Sequence, residues 1–224
     1  MDWTAIAVSV RLSLATMIVL AVIGVPMAYW VAFSRWRWKF LVEAVIALPL
    51  VLPPTVLGFY ILVSIGPNSP AGRFYEGIVG RGLPFTFEGL LVASVLYSLP
   101  FAVQPFSAAF ASVDRRLLEA SWSLGVSKAA TFRRVILPLS VRGLVTGMVL
   151  SFAHTLGEFG VVLMIGGNRP GVTRTVSVSI YDSVQALDYA TAAQTSALLL
   201  AVSFLILAVT YGMQKTVWAV WPMR

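Results

Sequence analysis

The sequence predicts an all-α polytopic membrane protein, with five transmembrane helices and one long polar elbow on a single side. Three observations predict it. Of 224 residues, 58% are hydrophobic and 11% charged, against about 45–50% and about 25% in soluble domains. The charges fall between five long apolar blocks. Lys and Arg gather in alternate connections. With a mean hydropathy of +0.87, the chain reads as one membrane domain over 1–224. A water-soluble globular enzyme and a disordered tail are both excluded.

The first block, 12–34, carries no charge and predicts a span over 5–33. It is not a signal peptide, because Met1-Asp2 lacks a basic start and Arg35, Arg37 and Lys39 follow as a stop-transfer flank. The uncharged block 44–72 predicts a span over 42–65, and 89–113 one over 88–111. Block 143–168 holds only Glu158 and His154 as ionisable groups and predicts a span over 141–166. The uncharged block 189–214 gives the last, over 189–213. Each reaches the ~20 residues that cross ~30 Å of hydrocarbon as helix. Alternating ten-residue strands are absent, which excludes a β-barrel.

Orientation follows from the basic residues. The turn after the first span has Arg35, Arg37 and Lys39. The 111–142 connection has Arg115, Arg116, Lys128, Arg133, Arg134 and Arg142, and the tail has Lys215 and Arg224. That side carries eleven and the other four: Arg73, Arg81, Arg169 and Arg174. The N-terminus is therefore expected outside, with the C-terminus and the 112–140 elbow in the cytoplasm. Basic inner loops account for the net charge of +7, so nucleic acid is not needed as a partner.

The elbow is the most informative segment. Asp114 suits a helix N-cap, and Val113 and Leu118 have the spacing of a hydrophobic staple. Leu117, Leu118 and Leu124 give the helix an apolar side. Gly125 suits a left-handed helix end. Ser127 can cap a second short helix to about Ile136, and Pro138 discourages continuation beyond it. From the residues alone, this is either a structured elbow or an amphipathic loop resting on headgroups.

Several residues could act within the membrane. Pro49, Pro53 and Pro54 lack N–H groups, so the second span reads as a broken or kinked helix, tolerated where it faces a cavity or a packed neighbour. Thr55 could add a hydroxyl there. Glu158 is the one acid deep in an apolar block and a functional candidate for that reason. A carboxylate on an anion path would repel a dianion. A structural or gating role follows, paired with His154 one turn earlier or with another helix. Arg11 either attracts an anion at the outer mouth or snorkels. Gly143 and Gly147 form a G-x-x-x-G pair, a weak sign of helix contact. No Cys is present and His154 is the one His, so thiol chemistry, disulfides and a multi-His metal site are excluded. No Walker A loop occurs, so the chain itself should not hydrolyse ATP.

Glu119-Ala120-Ser121, then Gly125, then Ile136-Leu137-Pro138 resembles the EAA signature of binding-protein-dependent ABC transporter permeases, with Ser121 in place of the second Ala. The runs LPLVLPPTVLGFYILVS (48–64), SFAHTLGEFG (151–160) and NRPGVTRT (168–175) look like the molybdate branch of that family, with sulfate and thiosulfate permeases as nearest relatives. The resemblance implies the type I importer permease fold in a bacterial cytoplasmic (inner) membrane. It implies that the 114–138 segment is the coupling element, and a homodimer with two cytoplasmic ATPase subunits that bind ATP and magnesium. A periplasmic or surface molybdate-binding protein completes the assembly. The permease itself would need no cofactor or metal and would move molybdate or its analogue tungstate. A sulfate permease is the alternative within the class. A stand-alone secondary transporter would show inverted repeats, and none is found.

Overall fold

The computed structural model describes residues 1–215, and its ordered elements are all helical; Arg224 lies outside them. Helix α1 (Trp3–Phe33) starts at Asp2, whose carboxylate accepts the Ala5 N–H at 3.0 Å. Helices α2 (Lys39–Val51) and α3 (Pro54–Ile65) follow as a pair bent by 116°. The bend is written in the chain. The Leu52 N–H still reaches the Leu48 carbonyl at 3.0 Å, but Pro53 and Pro54 have no N–H to continue the ladder. Pro54 then opens α3 at its first position, where a missing N–H costs nothing. A short α4 (Pro70–Val79) precedes α5 (Phe87–Ala111), which Thr86 caps through the Gly89 N–H.

The elbow consists of α6 (Arg115–Ser123) and α7 (Lys128–Thr131), a π-helical turn at Phe132–Ile136, and then α8 (Leu137–Gly157). The short α9 (Gly160–Gly166), α10 (Val176–Gln185) and α11 (Tyr189–Lys215) complete the order. Four helices are long and apolar enough to cross a bilayer, and the bent α2–α3 pair supplies a fifth pass if taken as one span.

Two local expectations are corrected. Pro138 does not stop the helix, which is continuous from Lys128 to Gly157. The π-turn is the reason: the Leu137 N–H bonds to the Phe132 carbonyl, a wider i→i−5 register that absorbs the break next to proline. The range 141–166 is divided, because the helix ends at Gly157 and Glu158 takes an extended conformation (ψ 136°). Of the elbow's leucines only Leu118 is buried, whereas Leu117 and Leu124 are exposed.

The core lies between α1, α5 and α8, around Leu20, Val103, Phe106, Phe110 and Leu144, and Leu118 and Ile136 of the elbow join it. Tyr29, Phe110 and Phe132 add edge-to-face ring contacts. The G-x-x-x-G pair does make a helix contact. A Cβ on Gly147 would stand 2.6 Å from the Phe106 ring, and one on Gly143 would collide with Ala109. Small residues thus let α8 lie close on α5.

Candidate functional site

The two breaks in the helices meet. Pro54 begins α3 and Gly160 begins α9, and a Cβ on Gly160 would lie 2.7 Å from the Cβ of Pro54. Gly58 packs as tightly on Met164. Beside this seam opens a cavity of about 530 Å³ lined by Pro54, Thr55, Tyr97, His154, Glu158 and Met164 among others. Pro54, Thr55 and Glu158, far apart in sequence, therefore share one cavity. Pro49 is buried inside α2 and Pro53 sits at the bend, and neither lines it.

Glu158 is 5% exposed, and neither carboxylate oxygen has a hydrogen-bond partner among the described residues. The Ser94 hydroxyl, also without a partner, stands beside it. The expected pairing of Glu158 with His154 does not form. Glu158 has left the helical register at the end of α8, so the i, i+4 geometry is lost.

His154 instead faces α5. Its ring stacks on Phe101 with centroids 3.9 Å apart, and Tyr97 lies at 4.7 Å. Its Nδ1 is 2.9 Å from the Ser98 hydroxyl, which is 2.9 Å from the Thr155 hydroxyl. Thr155 gives its one proton to the Ser151 carbonyl at 2.9 Å. Ser98 must then donate to Thr155, and His154 Nδ1–H must donate to Ser98. The chain leaves Nε2 as the ring's acceptor. The polar groups of the cavity are thus a carboxylate, two hydroxyls and an imidazole, with no Lys or Arg among the lining residues.

At the elbow, Asp114 accepts the Arg116 N–H at 2.8 Å, and Ser127 accepts that of Ala130 at 3.3 Å. Gly125 has φ +76°. Its N–H meets the Trp122 carbonyl and that of Val126 the Ser121 carbonyl, which is the Schellman pattern. Glu119 pairs with Arg115 at 3.0 Å on the exposed surface. Ala120 is exposed, and the Ser121 hydroxyl bonds that of Thr131 at 2.9 Å. The Ser-for-Ala departure thus ties α6 to α7. Ile136 is buried, Leu137 half-buried and Pro138 exposed.

The model of the binding-protein-dependent transport system inner membrane component family matches residues 10–217. The chain belongs to this family. It is 49% identical to the molybdenum transport system permease protein ModB of Azotobacter vinelandii, over 96% of this chain and 95% of the relative. It is 33% identical to ModB of Escherichia coli (strain K12), over 82% and 80%. A protein of Prototheca wickerhamii named "Probable sulfate transport system permease protein cysT" is 33% identical over 89% and 78%. Two solved structures share the fold. One is a bacterial ABC transporter involved in alginate import (TM-score 0.75, 16% identity, 95% of this chain and 78% of that one). The other is the MetNI methionine ABC transporter (TM-score 0.74, 17% identity, 96% and 95%). The chain is thus a multi-pass permease of the ABC importer class.

Within this family member, sequence reasoning missed Ser94, Tyr97, Ser98 and Thr155. Their signal was present as small hydroxyls and an aromatic inside apolar spans, but their partners lie more than fifty positions away. It also missed a network at the far end of the fold. Arg174 reaches Asp2 at 3.6 Å, Asp182 at 3.3 Å and the Asn168 side chain at 2.6 Å. Arg169 donates to the Phe85 carbonyl at 2.8 Å. Arg11 lies over the Phe87 ring at 4.3 Å, a cation–π contact. Among the described residues, no group of three His, Asp or Glu side chains converges as a metal site.

Proposed function

We propose that this chain is the permease subunit of an ATP-driven importer that moves molybdate, and tungstate as its chemical analogue, across the bacterial cytoplasmic membrane. The observation that carries the reading is the 49% identity, over nearly the full length of both chains, to a molybdenum transport permease. Sulfate is the second reading, favoured by the 33% identity to a sulfate permease.

A dianion cannot cross hydrocarbon without a conduit, and one copy of this fold encloses little of one. A homodimer is therefore part of the proposal, with the Thr55–Glu158 cavity of each copy on the path. Two separate ATPase subunits, which bind the ATP and magnesium, would dock on the 114–138 elbow through the exposed Asp114, Glu119, Ala120 and Pro138, with Ser121 and Gly125 holding its shape and the buried Ile136 and half-buried Leu137 anchoring it to the core. The excess of basic residues on the elbow side supports a cytoplasmic elbow and an external N-terminus. A binding protein on the opposite face would select the anion.

Glu158 is proposed as the gate. The Glu158 side chain fills the space beside the seam, so passage requires α3 and α9 to part and the side chain to withdraw. Glu158→Gln keeps the shape and removes the ionisable group. The reconstituted complex, with its binding protein, should then hydrolyse ATP faster without anion and lose at least several-fold of its stimulation by molybdate. Unchanged stimulation removes Glu158 from the gate. Equal stimulation of the wild-type complex by sulfate and its binding protein would favour the sulfate reading.

A further inference from the structure

We infer that Ser177 and Tyr181 of α10 are positioning residues for Glu158, holding the backbone on either side of it so that its side chain enters the cavity. The inference rests on the reading of Glu158 as the gate. The break that carries Glu158 leaves backbone groups to satisfy. In an unbroken helix the Gly157 carbonyl would accept the N–H four residues on. Here α8 ends at Gly157 and α9 begins at Gly160, so that carbonyl loses its helical partner. The Ser177 hydroxyl donates to it instead, at 3.1 Å. On the other side of Glu158, the Phe159 ring packs on that of Tyr181, with centroids 5.1 Å apart and planes inclined by 45°. The Glu158 N–H reaches the Thr155 carbonyl at a long 3.3 Å, and its carboxylate has no partner among the described residues. Its direction is therefore set by its two neighbours.

Ser177 and Tyr181 lie one turn apart, so they share one face of α10. The helix that presents them is a fixed base. Its first N–H, that of Val176, donates to the Ser9 hydroxyl of α1 at 2.8 Å. Val178 is buried in one cluster with Leu12 of α1 and Val162 of α9. Asp182 accepts from the Asn168 side chain at 2.6 Å and pairs with Arg174 at 3.3 Å. Helix α10 thus splints the break, with a hydroxyl on the residue before Glu158 and a ring on the residue after it. Loss of either contact frees the 157–159 backbone to rotate. The carboxylate then swings off the seam although every residue of the cavity is still present.

The test uses the reconstituted permease–ATPase complex with its binding protein. Ser177→Ala and Tyr181→Leu should each raise anion-free ATP hydrolysis about twofold or more and lower stimulation by molybdate, in the direction of Glu158→Gln. In the Glu158→Gln background neither should add anything, because a residue that acts through another couples to it in a double-mutant cycle. Ser177→Thr, which keeps the hydroxyl, and Tyr181→Phe, which keeps the ring, should restore the wild-type response. Hydrogen exchange of the 157–163 amides reads the backbone directly, whatever Glu158 does. Ser177→Ala should speed it about threefold or more, and Ser177→Thr should not. Effects that multiply in full on Glu158→Gln overturn the inference, and so does exchange at 157–163 that stays at the wild-type rate. If Glu158→Gln itself leaves stimulation unchanged, the gate reading falls and exchange alone decides: acceleration sustains the splint, and no acceleration removes it.

Discussion

Gly160 abuts Pro54, so closely that a Cβ added to the glycine would stand 2.7 Å from the proline's own Cβ. The first residues of two half-helices thus form one seam at the edge of the cavity. Gly160→Ala should force α3 and α9 apart at a cost of about 1–3 kcal/mol. Gly157, three residues earlier, has nothing within 4 Å of its would-be Cβ. Gly157→Ala should therefore leave thermal unfolding of the purified permease near wild type while Gly160→Ala lowers it. Equal midpoints for the two variants would refute the seam.

The proton order Nδ1–H to Ser98, Ser98 to Thr155 and Thr155 to the Ser151 carbonyl makes His154 a donor toward α5. His154→Asn places an amide N–H near the old Nδ1, whereas His154→Leu has similar bulk and no donor. Both lose the ring stacking on Phe101. The Leu variant should be less stable than the Asn variant by about 1–3 kcal/mol, the cost of leaving a buried polar group unsatisfied. Identical stabilities would mean that the relay runs the other way or contributes nothing.

Much of this fold was legible because hydrocarbon allows so few alternatives: an uncharged block of ~20 residues has to be a helix. The elbow's caps were legible too, since Asp114, Ser127 and Gly125 act on backbone groups within a few residues. What stayed hidden was non-local or against preference. The division at Glu158 has no proline to announce it. The end of α10 uses Leu187 at φ +60°, where a glycine would have signalled the turn. The N–H of Val176 at the start of α10 is held by Ser9 of α1 at 2.8 Å, a partner no spacing rule supplies. The cavity itself depends on which breaks face each other, and sequence order does not encode that.

Asp2 titrates abnormally, and the direction sets a pH dependence. Partial burial alone would raise its carboxyl. The hydrogen bonds from Thr4 and the Ala5 N–H and the charge of Arg174 outweigh this and hold it below its usual value of 3.8. The folded form therefore binds fewer protons than the unfolded form near that value. The stabilisation is present above pH about 3.8 and is lost as pH falls through the depressed native value. Between about pH 5 and 3 the melting temperature of the wild type should fall more steeply than that of Asp2→Asn. Parallel curves would show that the Asp2–Arg174 contact contributes nothing to stability.

The coupling proposal makes its sharpest demand at Gly125. Hydrolysis in a separate subunit can shift the permease only through contacts that differ between two states, and a lever must hold its angle to carry them. The angle between α6 and α7 rests on the Schellman turn at Gly125, with φ +76°, and on the Ser121–Thr131 hydroxyl pair. No atom lies within 4 Å of a Cβ built on Gly125, so a substitution there is opposed by backbone conformation and not by crowding. Gly125→Val puts a β-branched residue at positive φ, at a cost of about 1–3 kcal/mol. Asn occupies the same side chain volume class but tolerates the left-handed region. Gly125→Val should insert in the membrane, co-purify poorly with its ATPase and lose anion uptake, whereas Gly125→Asn should retain most of both. If the Val variant binds the ATPase and transports as well as the Asn variant, the turn at Gly125 does not set the lever, and coupling must run through another part of the cytoplasmic face.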